Sequence, residues 1–130
     1  MVHAALLDTQ ILIWLAQSPD SISNTAKSVL YTEVKLMLSH VSIWEIAIKI
    51  KTGKLHLNDS LDKSISTALQ KQNLELFPIS LQHIYQTQQS EQHHREQFDR
   101  LLAAQSILEN MPIISSDEIF DQYQVQRIWK

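Results

Sequence analysis

The stretch Val2-His3-Ala4-Ala5-Leu6-Leu7-Asp8-Thr9-Gln10-Ile11-Leu12-Ile13-Trp14-Leu15-Ala16 decides how this chain is read. Residues 2–7 are an apolar run of strand length that stops at a carboxylate. Residues 11–16 are apolar again, and a helix beginning just after Asp8 accounts for them. The chain therefore opens as strand, acid, helix.

Outward from that opening the alternation continues. Residues 23–30 read as a short helix and 35–39 as a second strand. Residues 42–52 read as a helix closed by Gly53, the only glycine in the chain, in the left-handed position that follows many helix ends. Residues 61–72 are a further helix. Residues 76–79 read as a short strand, which Pro78 confines to a sheet edge. Leu81, Ile84 and Tyr85 have helical spacing, as do Phe98, Leu101, Leu102, Gln105 and Leu108 across 98–109. Residues 111–114 form a strand ending at Ser115-Ser116-Asp117. A helical turn at 118–123 and a last strand within 125–129 follow. This alternation predicts a three-layer α/β/α domain with a mostly parallel central sheet covered on both faces.

Composition sets bounds. The 130 residues fit a single domain, 1–130, with no repeat or linker. A hydrophobic fraction of 44% against 19% charged describes a chain that packs rather than one that stays disordered. The absence of cysteine excludes a disulfide scaffold and a thiolate metal site, and it agrees with a cytoplasmic location. No apolar run approaches the ~20 residues that cross a bilayer, and the start lacks the features of a signal peptide, so no membrane role is expected. A net charge of −3 offers no global attraction to nucleic acid, which would need a local basic patch or a bound cation. One glycine cannot build a phosphate-cradling loop, and there is no Gly-x-Ser-x-Gly elbow. P-loop, dinucleotide-binding and serine-hydrolase readings are thereby set aside.

Four acids stand out: Asp8, Glu45, Asp99 and Asp117. Each falls at a strand end or in the first turn of an expected helix, and each has an ordinary explanation. Asp8 and Asp117 suit helix caps. Glu45 lies three residues after Ser42, as in a capping box. Asp99 suits the positive end of a helix. Together they read differently. In a parallel α/β fold the amino ends of helices gather at one edge of the sheet, where these carboxylates would repel one another. A divalent cation relieves that repulsion, and oxygen ligands suit Mg²⁺ or Mn²⁺. Such a site can activate water and stabilise charge on a phosphate. Lys49, Lys51 and Lys54 near Glu45, and His93, His94, Arg95 and Arg100 near Asp99, are either nucleic-acid phosphate contacts or solvated helix faces. The histidines show no helical metal pair. Trp14, Trp44 and Trp129 suit packing near the site or an interface better than base stacking.

The words around the four acids resemble the PIN-domain family, in particular its VapC-like toxin ribonucleases. Ala5-Leu6-Leu7-Asp8-Thr9 resembles the family's first strand and first acid. Ser42-Ile43-Trp44-Glu45-Ile46-Ala47 resembles the helix that carries its Glu, and Gly53-Lys54-Leu55 follows as in that subgroup. His94-Arg95-Glu96-Gln97-Phe98-Asp99-Arg100 resembles the segment of the third acid, and Ile113-Ile114-Ser115-Ser116-Asp117 the strand that ends in the fourth. Residues 125–129 resemble the closing strand. One departure is Glu96-Gln97-Phe98-Asp99 where the family usually has Asp-Pro-Phe-Asp, so Glu96 stands in place of an accessory acid. The resemblance implies that Asp8, Glu45, Asp99 and Asp117 bind Mg²⁺ or Mn²⁺ and that RNA is cut by metal-activated water. Thr9 and Ser116 would orient ligands, and Arg100, beside Asp99, would clamp phosphate, neutralise the acids or meet an antitoxin carboxylate. It also implies a homodimer and a cognate antitoxin as partners of a type II toxin–antitoxin pair. Two other readings stay open: a PIN-like RNA- or protein-binding module with little catalysis, and a phosphohydrolase with Asp8 as nucleophile. The latter chemistry usually places a second acid where Gln10 stands.

Overall fold

The computed structural model describes residues 3–32, 34–89 and 97–130. Strand β1 (Ala4–Leu7) passes through Asp8 directly into helix α1 (Thr9–Gln17). A 3-10 turn (Pro19–Ser21) leads to α2 (Asn24–Leu30), capped by Ser23, which accepts the Ala26 N–H. Strand β2 (Lys35–Ser39), α3 (His40–Lys51), α4 (Leu61–Lys71), β3 (Leu74–Phe77), α5 (Leu81–Gln89) and α6 (Gln97–Glu109) follow. The chain closes with β4 (Ile113–Ile114), a second 3-10 turn (Glu118–Gln122) and β5 (Arg127–Ile128).

The strands form one five-stranded sheet in the order β3-β2-β1-β4-β5, and all its pairings are parallel. Leu6 pairs with Met37 on one side and Ile113 on the other, so β1 lies at the centre. Successive side chains of a strand point to opposite faces, and the core divides accordingly. Ala5, Leu7, Leu36, Leu38 and Ile114 pack with Ile11, Leu12 and Leu15 of α1 and Ala26 and Leu30 of α2. Leu6 and Ile113 pack on the other face with Phe98, Leu102 and Ala103 of α6. The expected α/β/α layering is present. The chain builds outward from β1 to β3, then returns to lay β4 on the opposite side of β1. The order thus reverses between β1 and β4, where open α/β sheets leave a crevice at the carboxyl ends of their strands.

Several boundaries differ from expectation for identifiable reasons. β3 begins at Leu74 and stops before Pro78, and it lies at the sheet edge as a proline-limited strand should. β4 and β5 shrink to two residues each. The capping box expected from Ser42 and Glu45 does not form. Ser39 ends β2 and caps α3 by accepting the Val41 N–H, so Ser42 is buried within the helix and Glu45 lies beyond its first turn. Gln105, on the apolar stripe of α6, is fully buried, with its amide satisfied by the Ser39 hydroxyl (2.6 Å) and the Pro78 carbonyl (3.2 Å).

Gly53 follows the C-cap of α3 at φ +77°. Nothing lies within 4 Å of the Cβ that a larger residue would add, so the cost of substitution there is conformational alone. Gly53→Ala is expected to destabilise the domain by about 1 kcal/mol, read as a lower urea midpoint at unchanged slope.

Candidate active site

The sheet register builds the site. β1 and β4 pair Leu7 with Ile114, and the Asp8 N–H continues the ladder to the Ile114 carbonyl at 3.0 Å. This brings Asp8 level with Ser115, whose hydroxyl donates to Asp8 Oδ2 at 2.7 Å. The other oxygen, Oδ1, accepts the Thr9 N–H at 2.8 Å. The carboxylate is thus fixed at both oxygens and only 7% exposed. Burial pushes its pKa from 3.8 up to about 6, against the pull of the Ser115 hydroxyl. The charge of Glu45 pushes it up further, the Thr9 N–H draws it down, and Asp117 adds to the rise.

Glu45 reaches the same place from α3. Its Oε1 accepts the Thr9 hydroxyl at 2.6 Å, and its Oε2 lies 3.6 Å from Lys49 Nζ, one helical turn on. Thr9 Oγ1 also lies 3.0 Å from Ser42 Oγ. A hydroxyl has one proton to give, so Thr9 and Ser42 form a short buried relay that fixes Glu45 beside the Asp8 main chain.

Asp117 follows two residues after Ser115. Its N–H donates to the Ser115 hydroxyl oxygen (3.0 Å), and its own Oδ1 accepts the Ile119 N–H (3.0 Å), capping the second 3-10 turn. Asp117 is exposed. Asp99 is buried in the first turn of α6, whose amino end faces this edge because α6 runs back to the start of β4. Its neighbour Phe98 meets Trp44 edge-on at 5.0 Å, and Trp44 adjoins Glu45. Burial raises the pKa of the Tyr123 phenol; the nearby charge of Arg100 lowers it and that of Asp99 raises it. The structure therefore joins Asp8, Glu45 and Asp117 electrostatically, and sets Asp99 on the same edge with Tyr123 and Arg100. Among the described residues, no three His, Cys, Asp or Glu side chains form a ready-made metal cage. Asp117 is turned to its cap, and Glu45 to Thr9 and Lys49.

Thr9 bonds Asp8 through its N–H and Glu45 through its hydroxyl. The serine hydroxyl on Asp8 is that of Ser115, the neighbour of Ser116. Glu96, with His93, His94 and Arg95, lies outside the described residues. A further residue went unread in the sequence. Arg127 of β5 grips Asp121 through two nitrogens (2.9 and 3.0 Å) and donates to the Ser115 carbonyl at 3.2 Å. It braces the strand end that presents Ser115 to Asp8. Its signal was the pairing of Ile113 with Arg127 across β4 and β5, which a sequence does not display.

Solved structures share this fold. One chain of VapBC2 from Rickettsia felis bound to a promoter DNA fragment superposes with a TM-score of 0.71 at 16% identity, covering 96% of this chain and 98% of that one. A chain of DNA-bound VapBC from Salmonella typhimurium gives 0.66 at 13% identity, covering 98% and 97%. A chain of VapBC-1 from nontypeable Haemophilus influenzae gives 0.65 at 19% identity, covering 95% and 96%. At such identities the likeness is one of fold. A sequence search of curated proteins found no match. The sequence profile of the PIN domain, however, matches residues 5–126, from the middle of β1 to the threshold of β5. With the parallel sheet, its switch point and the span of that match in agreement, the chain belongs to the PIN domain family.

Proposed function

We propose that this chain is an Mg²⁺- or Mn²⁺-dependent endoribonuclease, the toxin of a VapBC-type toxin–antitoxin pair. The observation that carries the reading is the convergence at the switch point: Asp8 fixed at both oxygens, Glu45 held by the hydroxyl of Thr9 whose N–H Asp8 accepts, and Asp117 just past the adjoining strand end. PIN domains are generally nucleases that use divalent metals, and solved structures that share this fold include a toxin–antitoxin complex from Klebsiella pneumoniae and VapBC-5, of the VapBC family of toxin–antitoxin systems, from Mycobacterium tuberculosis.

The donor set fits a hard cation. It consists of carboxylates braced by hydroxyls, with no thiolate in the chain, and such oxygen donors suit Mg²⁺ or Mn²⁺. Asp8, Glu45, Asp117 and Asp99 would hold the ion, directly or through water. A bound ion supplies an acidified water and offsets the charge that builds on phosphate. The remaining work falls to the chain itself. Ser115 and the Thr9 N–H hold Asp8 in one orientation, Thr9 aims Glu45, and Arg127 keeps the β4 end in place. Arg100, beside Asp99, is placed to meet a substrate phosphate or an antitoxin carboxylate. The pair's second member, a cognate antitoxin, is a protein partner, and the toxin itself is a homodimer in the cytoplasm. No described helix is long and apolar enough to cross a membrane.

The test is incubation of purified protein with total RNA and Mg²⁺. Cleavage is expected, and it should vanish with a chelator and with Asp8→Asn. Cleavage that survives both controls comes from a contaminant and removes the reading. RNA binding with no cleavage under any metal would favour the non-catalytic module.

A further inference from the structure

A cleft of about 390 Å³ opens beside the acids, between α1 and the connection from α3 to α4. Gln10, Trp14, Gln17, Lys49, Lys54 and Leu55 line it. Local structure explains why those residues meet. The left-handed turn at Gly53 folds the chain back, so that the N–H groups of Lys54 and Leu55 both reach the Lys49 carbonyl, at 2.8 and 3.2 Å. Lys54 thereby arrives beside Lys49. The Gln17 amide donates to the His56 carbonyl at 3.1 Å and ties the end of α1 to the opposite wall. The cleft is continuous with the site: Lys49 Nζ stands 3.6 Å from Glu45 Oε2, and Gln10 follows Thr9 in the chain.

We propose that this cleft is a single-stranded RNA subsite, in which Lys49 and Lys54 hold the phosphate of a nucleotide flanking the cleaved bond and Trp14 receives its base. The proposal rests on the endoribonuclease reading and adds where the substrate runs. Its volume lies in the range of pockets that hold small ligands, about 300–1,000 Å³. Two ammonium groups suit a phosphodiester, whose neutralisation dominates nucleic-acid affinity. That matters in a chain of net charge −3, which has no global attraction to offer. An indole gives a base a stacking surface, and the glutamine amides present both donors and acceptors to its edges. Bases are open to stacking in single strands and are closed off in an RNA duplex. An acidic protein segment would also satisfy the lysines. Trp14 is half-buried and packs against Trp129 at 5.8 Å, as its expected packing role requires, but it also lines the cleft; that aromatic lining and the direct continuity with acids suited to phosphodiester chemistry favour RNA.

Binding measured without metal separates this proposal from cleavage. A short labelled single-stranded RNA is titrated with protein in chelator by fluorescence anisotropy, across a series of salt concentrations. Lys54→Gln is expected to flatten the log–log salt slope by about 0.7, with a matching loss of affinity at low salt. Trp14→Leu is expected to weaken binding about 5- to 150-fold at an unchanged slope. Lys54 is exposed, so its variant is readable even if Trp14→Leu fails to fold. Wild-type affinity and slope in Lys54→Gln would overturn the subsite, and would leave the nuclease reading standing wherever Mg²⁺-dependent cleavage is lost in Asp8→Asn. Unchanged RNA binding with loss of a protein partner would make the cleft a protein site and equally overturn the proposal. The expected slopes together with no metal-dependent cleavage would remove the nuclease reading and keep the RNA site.

Discussion

Asp8→Asn is expected to abolish RNA cleavage, by on the order of 10³-fold or more, and at the same time to raise the melting temperature of the metal-free protein at pH 7. The two effects share one cause. The Asp8 carboxyl is buried, and its pKa is pushed from 3.8 up to about 6, so the native state holds its proton more tightly than the unfolded chain does. Between pH 4 and pH 6 the native state binds the proton and the unfolded chain does not, so stability falls as pH rises through that window. Above pH 6 the penalty is complete. At 1.36 kcal/mol per pKa unit it is on the order of 3 kcal/mol. Asn has nearly the same shape and no charge, and the Ser115 hydroxyl can rotate to suit its amide. The variant should therefore melt roughly 9–11 °C higher at pH 7 in chelator, with the difference closing toward pH 4. Thermal melts of both proteins from pH 4 to pH 8 check this. A variant that melts lower than wild type at pH 7 would mean that Asp8 acts as an ordinary stabilising cap, and the buried-charge account of the site would fail.

What the sequence revealed and what it hid follow from the same physics. Strand β1, its acid and α1 were legible because a short apolar run, a carboxylate and a helical apolar period follow one another without a loop. That the sheet would be mostly parallel followed from alternation of elements; that all its pairings are parallel came from the structure. The start of α3 was misread because Ser39 and Ser42 are both good caps three residues apart. The choice between them depends on where β2 stops, and Ser39 is still paired with Phe77. That shift carries weight for the site, since it takes Glu45 out of a local capping box and leaves its carboxylate to Thr9. Ser115 and Ser116 are chemically identical neighbours. Only the register of β1 against β4 decides which one meets Asp8. Arg127 was invisible for a similar reason, since strand pairing carries it from far along the chain to the Ser115 carbonyl. Long, periodic elements announce themselves locally, whereas bracing contacts depend on register.

Saturating Mn²⁺ is expected to raise the melting temperature of the wild-type protein at pH 7 and to leave Asp8→Asn unmoved. A ligand that binds only the native state stabilises it by about 2.7 kcal/mol at a hundred times its dissociation constant, which for a domain of this size is roughly 8–10 °C. The ion would relieve the repulsion that Glu45 and Asp117 exert on Asp8, so it stabilises most where Asp8 is ionised. Protons compete for the same oxygens. With the Asp8 pKa near 6, the ionised fraction falls roughly tenfold between pH 7 and pH 5, and apparent Mn²⁺ affinity should fall with it. Glu45→Gln should reduce the shift strongly. Asp117→Asn should reduce it less, because Asp117 is exposed and already engaged as a cap. Differential scanning fluorimetry across pH, with Ca²⁺ as a size control, reads all of these. An equal Mn²⁺ shift in wild type and Asp8→Asn would place the ion elsewhere on the molecule. No shift in either would leave the carboxylates without the cation that their convergence calls for, and the proposed chemistry would go with it.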